Sequence, residues 1–156
     1  MIDVAVPGSG QFSLEHLVLD VNGTIAAGGG LVPGVAEAVE ALGATLQVVA
    51  VTADTHGTAA RLRDALGIEV RVIEAGAEAA QKLAIVRELG AERVVAIGNG
   101  ANDVEMVRAA ALGVAVIGAE GAAGTLLASA DIVTTSILDA LALLSQPARI
   151  VATLRR

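Results

Sequence analysis

A short apolar run, Leu17–Leu19, leads directly into Asp20 and then into a turn that contains Gly23 and Thr24. Apolar, β-branched runs of this kind alternate along the chain with stretches of helical periodicity. That alternation is typical of βαβ units, and it predicts an α/β fold with a doubly wound, mainly parallel sheet flanked by helices. Ligands of such sheets bind at the carboxyl ends of the strands, so Asp20 is a candidate site residue.

Turn residues and helix breakers divide the chain into its predicted elements. Ile2–Val6 and Phe12–Asp20, separated by Pro7–Gly10, predict an N-terminal hairpin whose second arm becomes the central strand. Pro33 is tolerated at the start of a helix, which we expect to end at Leu42–Gly43. The remaining strands are predicted at Leu46–Val51, Glu69–Ile73, Arg93–Ile97, Val114–Ile117 and Asp131–Thr134, and the remaining helices at 56–66, 76–89, 102–111, 121–129, 136–144 and 148–156.

The composition indicates a packed globular protein. Of the 156 residues, 54% are hydrophobic and 17% are charged, and we expect one domain over residues 1–156. The longest apolar-rich run, Ala41–Ala53, is shorter than the roughly 20 residues that a membrane span requires. No segment has the pattern of a signal peptide. We therefore expect a cytoplasmic protein that does not contact a membrane.

Charge and aromatic content argue against a nucleic-acid partner. The net charge is −7, whereas nucleic-acid binding requires clustered lysine and arginine. Phe12 is the only aromatic residue of the Phe, Tyr and Trp group, so no platform for base stacking can form. The absence of cysteine excludes disulfides and thiolate metal ligands.

Three further polar signals follow Asp20 along the chain. Thr52 ends an apolar run, and Lys82 is the only lysine in the sequence. The third signal is the segment from Gly98 to Met106, in which Asn99 and Asp103 follow another apolar run. Each has a purely structural interpretation: Thr52 as part of a helix cap, Lys82 as a solubilising side chain and the last segment as a glycine turn with an Asn/Asp cap. Their order along the chain favours a shared site.

An aspartate, a hydroxyl, a lysine and a terminal acid in this order resemble the haloacid dehalogenase (HAD) superfamily. The resemblance implies that Asp20 is a nucleophile that carries a covalent phosphoryl group. It implies phosphate contacts from Gly23, Thr24, Thr52, Ala53 and Lys82. It also implies a Mg²⁺ cofactor, held by Asp20, the backbone carbonyl of Asn22, Asn99 and Asp103.

The chain departs from the common pattern of this superfamily at two positions. Asn22 and Asn99 occupy places where most of the family's phosphatases have aspartate. An asparagine at position 22 cannot act as the usual general acid and base, so we expect slow turnover. Thr52-Ala53-Asp54 resembles the Thr-Gly-Asp motif of P-type ATPases, and the chain is most similar to soluble proteins that resemble their phosphorylation domain. The intervals between motifs leave no room for an inserted cap, so we expect a capless member.

Two functions remain open at this point. One is a Mg²⁺-dependent phosphohydrolase that acts through phosphorylated Asp20 on a phosphorylated small molecule or phosphoprotein. The alternative is a phosphate-binding or regulatory protein with little turnover. A receiver-type response regulator is a remote third interpretation, because Asp3 alone does not supply its clustered acids. We expect the open site to be covered by self-association, while His16 and His56 are more often structural or exposed than catalytic.

Overall fold

Six of the ten strands form one parallel sheet, in a computed structural model that describes all residues from Met1 to Arg156. Across this sheet the strand order is β10-β9-β8-β3-β6-β7, which confirms the predicted α/β class. The strands are β1 (Ile2–Val6), β2 (Gly10–Leu14), β3 (His16–Asp20), β4 (Ala26–Ala27), β5 (Gly30–Leu31), β6 (Gln47–Thr52), β7 (Glu69–Val72), β8 (Val94–Gly98), β9 (Leu112–Val116) and β10 (Ile132–Thr134).

Seven helices cover the two faces of the sheet. They are α1 (Val35–Gly43), α2 (His56–Leu66), α3 (Glu78–Glu88), α4 (Val104–Ala109), α5 (Gly124–Leu127), α6 (Ile137–Ser145) and α7 (Ala148–Leu154). Buried residues of α1, α2, α6 and α7 share one apolar cluster with one face of the sheet. Those of α3, α4 and α5 share a second cluster with the other face. The sheet is therefore buried on both sides, as parallel sheets are.

The central strand β3 shows how the sequence serves both faces. Leu17 and Leu19 belong to the first cluster, Val18 belongs to the second, and all three are fully buried. Successive side chains of a strand point to opposite faces, so a strand buried on both sides requires an uninterrupted apolar run. The first carboxylate after this run, Asp20, is thereby fixed at the carboxyl edge of the sheet between β6 and β8.

The N-terminal hairpin is present, but its second arm ends earlier than predicted. β1 and β2 pair antiparallel as a separate two-stranded sheet, so Phe12–Asp20 is not one strand. The break falls at Glu15, whose amide donates to Arg93 and whose carbonyl accepts from Gln47. At this residue the chain leaves its antiparallel partner and begins to pair with two parallel neighbours, and this change of partner divides the predicted arm in two.

Several predicted helices extend beyond the observed ones, and two of these differences have a local cause. The first begins at Val35 and not at Pro33, because Gly34 has a positive φ of 90° and precedes the helix. The predicted helix 121–129 shrinks to Gly124–Leu127. A turn closed by the hydrogen bond from the Gly121 amide to the Gly118 carbonyl occupies the residues before it.

No single helix is long and apolar enough to cross a bilayer. The consecutive helices α6 and α7 reach that length and composition only when taken together, and they are bent by 108° relative to each other.

The packing between β9 and α4 predicts a strong effect of one added methyl group. A Cβ on Gly113 would lie 2.7 Å from Cγ1 of Val107 and 3.1 Å from its carbonyl carbon. We expect Gly113→Ala to lower the free energy of unfolding by about 1–3 kcal/mol, measured by urea denaturation. Gly43→Ala is the matched control, because no atom lies within 4 Å of its added Cβ, and it should be neutral or stabilising by up to about 1 kcal/mol. Equal effects of the two substitutions would contradict this account of the packing.

Candidate active site

The carboxyl ends of three neighbouring strands meet at one edge of the sheet. β3 ends in Asp20, β6 ends in Thr52 and β8 ends in Gly98, just before Asn99. β3 lies between β6 and β8 in parallel register, so these ends are adjacent. The sequence motifs, which are far apart along the chain, are therefore brought together by the strand order.

Lys82 connects two of these motifs. From α3, its Nζ donates to Oδ1 of Asp20 and to Oδ1 of Asp103, each at 2.7 Å, and to Oδ1 of Asn102 at 3.2 Å. The exposed fractions of the residues are 3% for Lys82, 7% for Asp20 and 0% for Asp103. Three charged groups this buried are stable only because each is paired. The ammonium therefore holds the two carboxylates in place.

The environment of Asp20 makes its carboxylate unusually basic. The pKa of Asp20 is raised from 3.8 to about 6, because burial and the nearby Asp103 carboxylate oppose its ionisation more strongly than Lys82 and the Thr24 hydroxyl favour it. Burial alone would lower the pKa of Lys82, but the carboxylates of Asp20 and Asp103 outweigh it and raise that pKa. Lys82 therefore stays charged at neutral pH. Perturbed carboxylates in a cleft are a property of functional sites.

Asp103 lies behind Lys82 and does not reach the cavity surface. Its Oδ1 accepts from Lys82, and its Oδ2 accepts from the backbone amides of Asn99 at 3.1 Å and Gly100 at 2.9 Å. Both oxygens are thus used to position the lysine and the loop after β8. Direct metal ligation by Asp103 stays a prediction, and the contacts support a positioning role.

The turn after β3 brings Asp20 and Asn99 together. Gly23 has a positive φ of 83°, and its neighbour Thr24 is buried. The Thr24 hydroxyl contacts Oδ2 of Asp20 at 2.9 Å and Oδ1 of Asn99 at 3.3 Å. Neither Gly23 nor Thr24 lines the cavity, so Thr24 orients the two side chains, and the predicted phosphate contacts of Gly23 and Thr24 stay predictions.

Thr52 and Ala53 form the opposite wall of the cavity. The Thr52 side chain is buried, and its Oγ1 accepts from the Asp54 amide at 3.1 Å. Helix α2 begins at His56, and Thr55 caps it by accepting from the Thr58 amide at 3.3 Å. The N-terminus of α2 therefore follows Thr52 by a few residues, which is a favourable position for an anion.

Asn22 also lines the cavity, and its side chain is held by one contact. Its Nδ2 donates to Oδ2 of Asp54 at 3.0 Å. In this turn the Gly23 amide donates to the Ala26 carbonyl, and the Ala26 amide donates to the Val21 carbonyl. The Asn22 carbonyl has no backbone hydrogen-bond partner. The side-chain amide of Asn22 thus faces the carboxylate of Asp54, two residues after Thr52.

Neither histidine belongs to the cavity. His16 begins β3 and Asp20 ends it, so His16 lies at the opposite edge of the sheet, with its buried Nδ1 unpaired. His56 is exposed at the start of α2 and is absent from the cavity wall. The structure therefore gives neither residue a place among the candidate catalytic groups.

The cavity at this edge has a volume of about 480 Å³. Its wall contains Asp20, Asn22, Thr52, Ala53, Glu78, Lys82, Asn99, Gly100, Ala101, Asn102 and Glu120. Sequence reasoning missed Glu78 and Glu120, which lie outside the four motifs and carry no motif of their own. A larger groove of about 610 Å³ between α1 and the C-terminal end of α2 contains none of the predicted residues.

The donor atoms of this cavity suit a hard divalent cation. Asp20 offers a carboxylate, Asn22 an unpaired carbonyl and Asn99 a side-chain oxygen, and no histidine lines the wall. Oxygen ligands of this kind fit Mg²⁺ better than Zn²⁺. No three His, Cys, Asp or Glu side chains form a group that could hold a metal ion by themselves. The fit therefore rests on one carboxylate combined with neutral oxygens.

Removing the ammonium of Lys82 should destabilise the fold in a pH-dependent manner. Lys82→Met leaves two buried carboxylates facing each other, and we expect it to lower the free energy of unfolding by about 3–5 kcal/mol at pH 8 in metal-free buffer. Without the lysine, the already raised pKa of Asp20 rises further. The folded state then binds a proton more tightly than the unfolded chain does, so lowering the pH to 5 should reduce the loss.

Arg108→Met is the control for Lys82→Met, because Arg108 makes an exposed ion pair with Glu105 at 3.7 Å. Its effect on urea unfolding should stay within about 1 kcal/mol. A loss for Lys82→Met that is equal at pH 5 and pH 8 would contradict the assigned role of the lysine.

Solved structures with the same fold include two that are informative. A 3-deoxy-D-manno-octulosonate 8-phosphate phosphatase from Moraxella catarrhalis, in complex with magnesium, phosphate and KDO, has a TM-score of 0.69 at 17% identity. That match covers 91% of this chain and 94% of the phosphatase. The catalytic domain of the CPx-ATPase CopB-B has a TM-score of 0.59 at 22% identity and covers 74% of this chain and 45% of that one. The predicted likeness to P-type ATPases therefore extends to the fold.

Comparisons of sequence identify the family. An uncharacterized protein of Methanocaldococcus jannaschii is 45% identical over 84 residues, which are 51% of this chain and 90% of that protein. The family model of haloacid dehalogenase-like hydrolases matches residues 3–111, a region that includes all four motifs from Asp20 to Asp103. The chain thus belongs to the haloacid dehalogenase-like hydrolases.

Proposed function

We propose that the chain is a Mg²⁺-dependent phosphohydrolase in which Asp20 carries a covalent phosphoryl group. The observation that carries this proposal is the buried ion pair between the Asp20 carboxylate and the Lys82 ammonium, 2.7 Å apart at the carboxyl edge of the sheet. A carboxylate held in this way is a positioned nucleophile, and the ammonium beside it can stabilise the charge of a phosphoryl group.

The reaction has two steps that share the Asp20 side chain. In the first, an oxygen of Asp20 attacks phosphorus, and the bond between phosphorus and the leaving oxygen breaks. The leaving oxygen keeps the bonding electron pair and takes a proton from solvent. In the second, water attacks phosphorus and releases a proton, and the bond between phosphorus and the Asp20 oxygen breaks, which regenerates the carboxylate and releases phosphate.

The opposite wall of the cavity supplies further stabilisation of the transferred group. The hydroxyl of Thr52, the backbone of Ala53 and the nearby N-terminus of α2 all lie at the end of β6. Hydroxyl groups, backbone amides and helix dipoles stabilise phosphoryl oxygens without reorganisation during the reaction. Asp103 keeps Lys82 and the loop from Asn99 in the required arrangement through three hydrogen bonds.

The charge of the cavity supports the need for a cation. Three carboxylates, those of Asp20, Glu78 and Glu120, line it together with one cationic side chain, Lys82. A phosphoryl group would enter a region of net negative charge unless a cation accompanied it. We assign Mg²⁺ to Asp20, the Asn22 carbonyl and the Asn99 side chain; when bound, the ion neutralises charge on the phosphoryl oxygens.

Asn22 limits the second step. Its carboxamide has no proton to give or take near neutral pH, and its Nδ2 is engaged with Asp54. General acid or base catalysis is typically worth 10²–10⁴-fold, so the enzyme hydrolyses its phosphorylated intermediate slowly.

The alternative function is a phosphate-binding or regulatory protein. The pair of asparagines, Asn22 and Asn99, favours it, because both replace groups that would speed turnover or strengthen metal binding. In that case phosphorylated Asp20 is the functional state rather than an intermediate. The two functions differ in the fate of the phosphorylated aspartate. The enzyme hydrolyses it and releases phosphate continuously, whereas the regulator is phosphorylated once for each chain and then stops.

The substrate class follows from the cavity and its surroundings. β4 and β5 form a two-stranded hairpin after the Asp20 turn, and the cavity remains open to solvent. This supports the absence of a cap and access for a phosphorylated small molecule or a phosphoprotein. The likeness of the fold to a phosphatase solved with magnesium and phosphate supports the same class. Self-association over the open site stays a proposal.

The direct test is a search for the phosphorylated aspartate. The protein is incubated with acetyl phosphate and Mg²⁺, quenched in acid and analysed by mass spectrometry. We expect one added phosphoryl group on the peptide that contains Asp20 and none in Asp20→Asn. Asp64→Asn, which removes an exposed carboxylate of α2, is the control and should be phosphorylated as the native chain is. Phosphatase activity that persists in Asp20→Asn would overturn the proposal.

Restoring the missing acid should increase turnover. Asn22→Asp places a carboxyl group where water must be activated, and we expect steady-state hydrolysis of p-nitrophenyl phosphate to rise about 10- to 100-fold. The native protein should instead show a burst followed by slow turnover. Asn22→Ala, which lacks both amide and acid, should show no such gain. If Asn22→Asp is no faster than the native chain, the base is another group, such as Asp54, and Asn22 does not limit turnover.

A further inference from the structure

Glu120 is a carboxylate of the cavity that belongs to none of the four motifs. It lies in the segment between β9 and α5, in a turn closed by the hydrogen bond from the Gly121 amide to the Gly118 carbonyl at 3.0 Å. Its side chain lines the same cavity as Asp20 and Asn99. Glu120 is exposed to solvent, and its carboxylate forms no hydrogen bond or ion pair with another residue.

The turn of Glu120 is fastened to the loop after β8. The side chain of Asn99 donates from Nδ2 to the Gly121 carbonyl at 3.3 Å, and the Ala123 amide donates to the Asn99 carbonyl at 2.9 Å. These contacts fix the segment that carries Glu120 directly beside Asn99. The position of this segment beside Asn99 is therefore built into the fold.

Gly23 marks the point at which the two side chains converge. A Cβ on Gly23 would meet the amide nitrogen Nδ2 of Asn99 and would lie 2.8 Å from Oε2 of Glu120 and 3.0 Å from Cγ of Asn99. Both groups therefore occupy the space directly above the turn that follows Asp20. Any larger residue at position 23 would displace them, and the positive φ of 83° also favours glycine there.

The charges explain what this arrangement can do. Among the assigned Mg²⁺ ligands, Asn99 is neutral and Asp20 supplies the single carboxylate. The carboxylate of Asp103 is already paired with Lys82. We propose that Glu120 supplies the second carboxylate of the cation site, in place of the charge that Asn99 lacks. This inference rests on the proposed Mg²⁺-dependent function. The affinity of an oxygen site for a divalent cation depends on the charge count of its ligands.

Glu78 is the other carboxylate of the cavity wall outside the motifs, and it is a less suitable partner for the cation. It begins α3 one helical turn before Lys82, whose ammonium interacts with it electrostatically. It lies on the lysine side of the cavity, whereas Glu120 adjoins Asn99 and Gly23. Glu78 is therefore the matched control, because its removal changes the charge of the cavity equally.

The test measures cation binding without turnover. Titration calorimetry with Mg²⁺, and Mn²⁺ binding followed by electron paramagnetic resonance, are applied to the native protein, Glu120→Gln, Glu78→Gln and the double variant Glu120→Gln with Asn99→Asp. We expect Glu120→Gln to weaken binding by about tenfold or more, and the double variant to recover most of that loss. Glu78→Gln should change the affinity by less than about threefold. Thermal unfolding of each variant checks that the fold is retained.

The outcomes separate this inference from the function on which it rests. Unchanged cation affinity in Glu120→Gln, or an equal loss in Glu78→Gln, overturns the role of Glu120, and phosphorylation of Asp20 in the native chain then leaves the phosphohydrolase proposal standing. Loss of binding in Glu120→Gln that Asn99→Asp does not restore also overturns it, since the two carboxylates are proposed to substitute for each other. Absence of phosphorylated Asp20 together with tight cation binding that requires Glu120 would retain the cation site and reject the reaction.

Discussion

The ammonium group of Lys82 lies between the carboxylates of Asp20 and Asp103, 2.7 Å from each, and the whole site depends on it. Each of these charges is costly to bury alone, and the pairing makes their burial tolerable. The same contacts tie α3 to the end of β3 and to the loop after β8. The only lysine in the chain therefore stabilises the fold next to the carboxylate that we propose as the nucleophile.

The burial of these charges makes the ionisation of Asp20 less favourable. Its pKa is raised to about 6 in spite of the lysine, because burial and the Asp103 carboxylate oppose its ionisation. A cation bound in the cavity would offset this effect and favour the charged, nucleophilic form of Asp20. The amides of Asn22 and Asn99 supply neither charge nor protons, and the proposed role of Glu120 is to supply the carboxylate that the motif residues lack.

The sequence was sufficient to predict the parallel sheet and the convergence of Asp20 and Thr52, because buried strands require apolar runs and parallel strands align their carboxyl ends. Lys82 lies on α3, and only the resemblance to the HAD superfamily placed it with them. The sequence was insufficient where the tertiary structure decides which segments of the chain pack against each other. Glu15 divides the predicted hairpin arm because its neighbours on both sides are parallel strands. Glu120 carries no local pattern, and only the packing of its turn against the loop after β8 brings it into the cavity.

The most direct test of the account is chemical trapping of the acyl phosphate. Reduction of a rapidly quenched reaction mixture with tritiated borohydride converts an aspartyl phosphate into labelled homoserine, and peptide sequencing locates it. The account predicts label at position 20 alone, in an amount that approaches one equivalent because the second step is slow. Phosphate release without labelled homoserine, or label at another carboxylate such as Asp54 or Asp103, would contradict it.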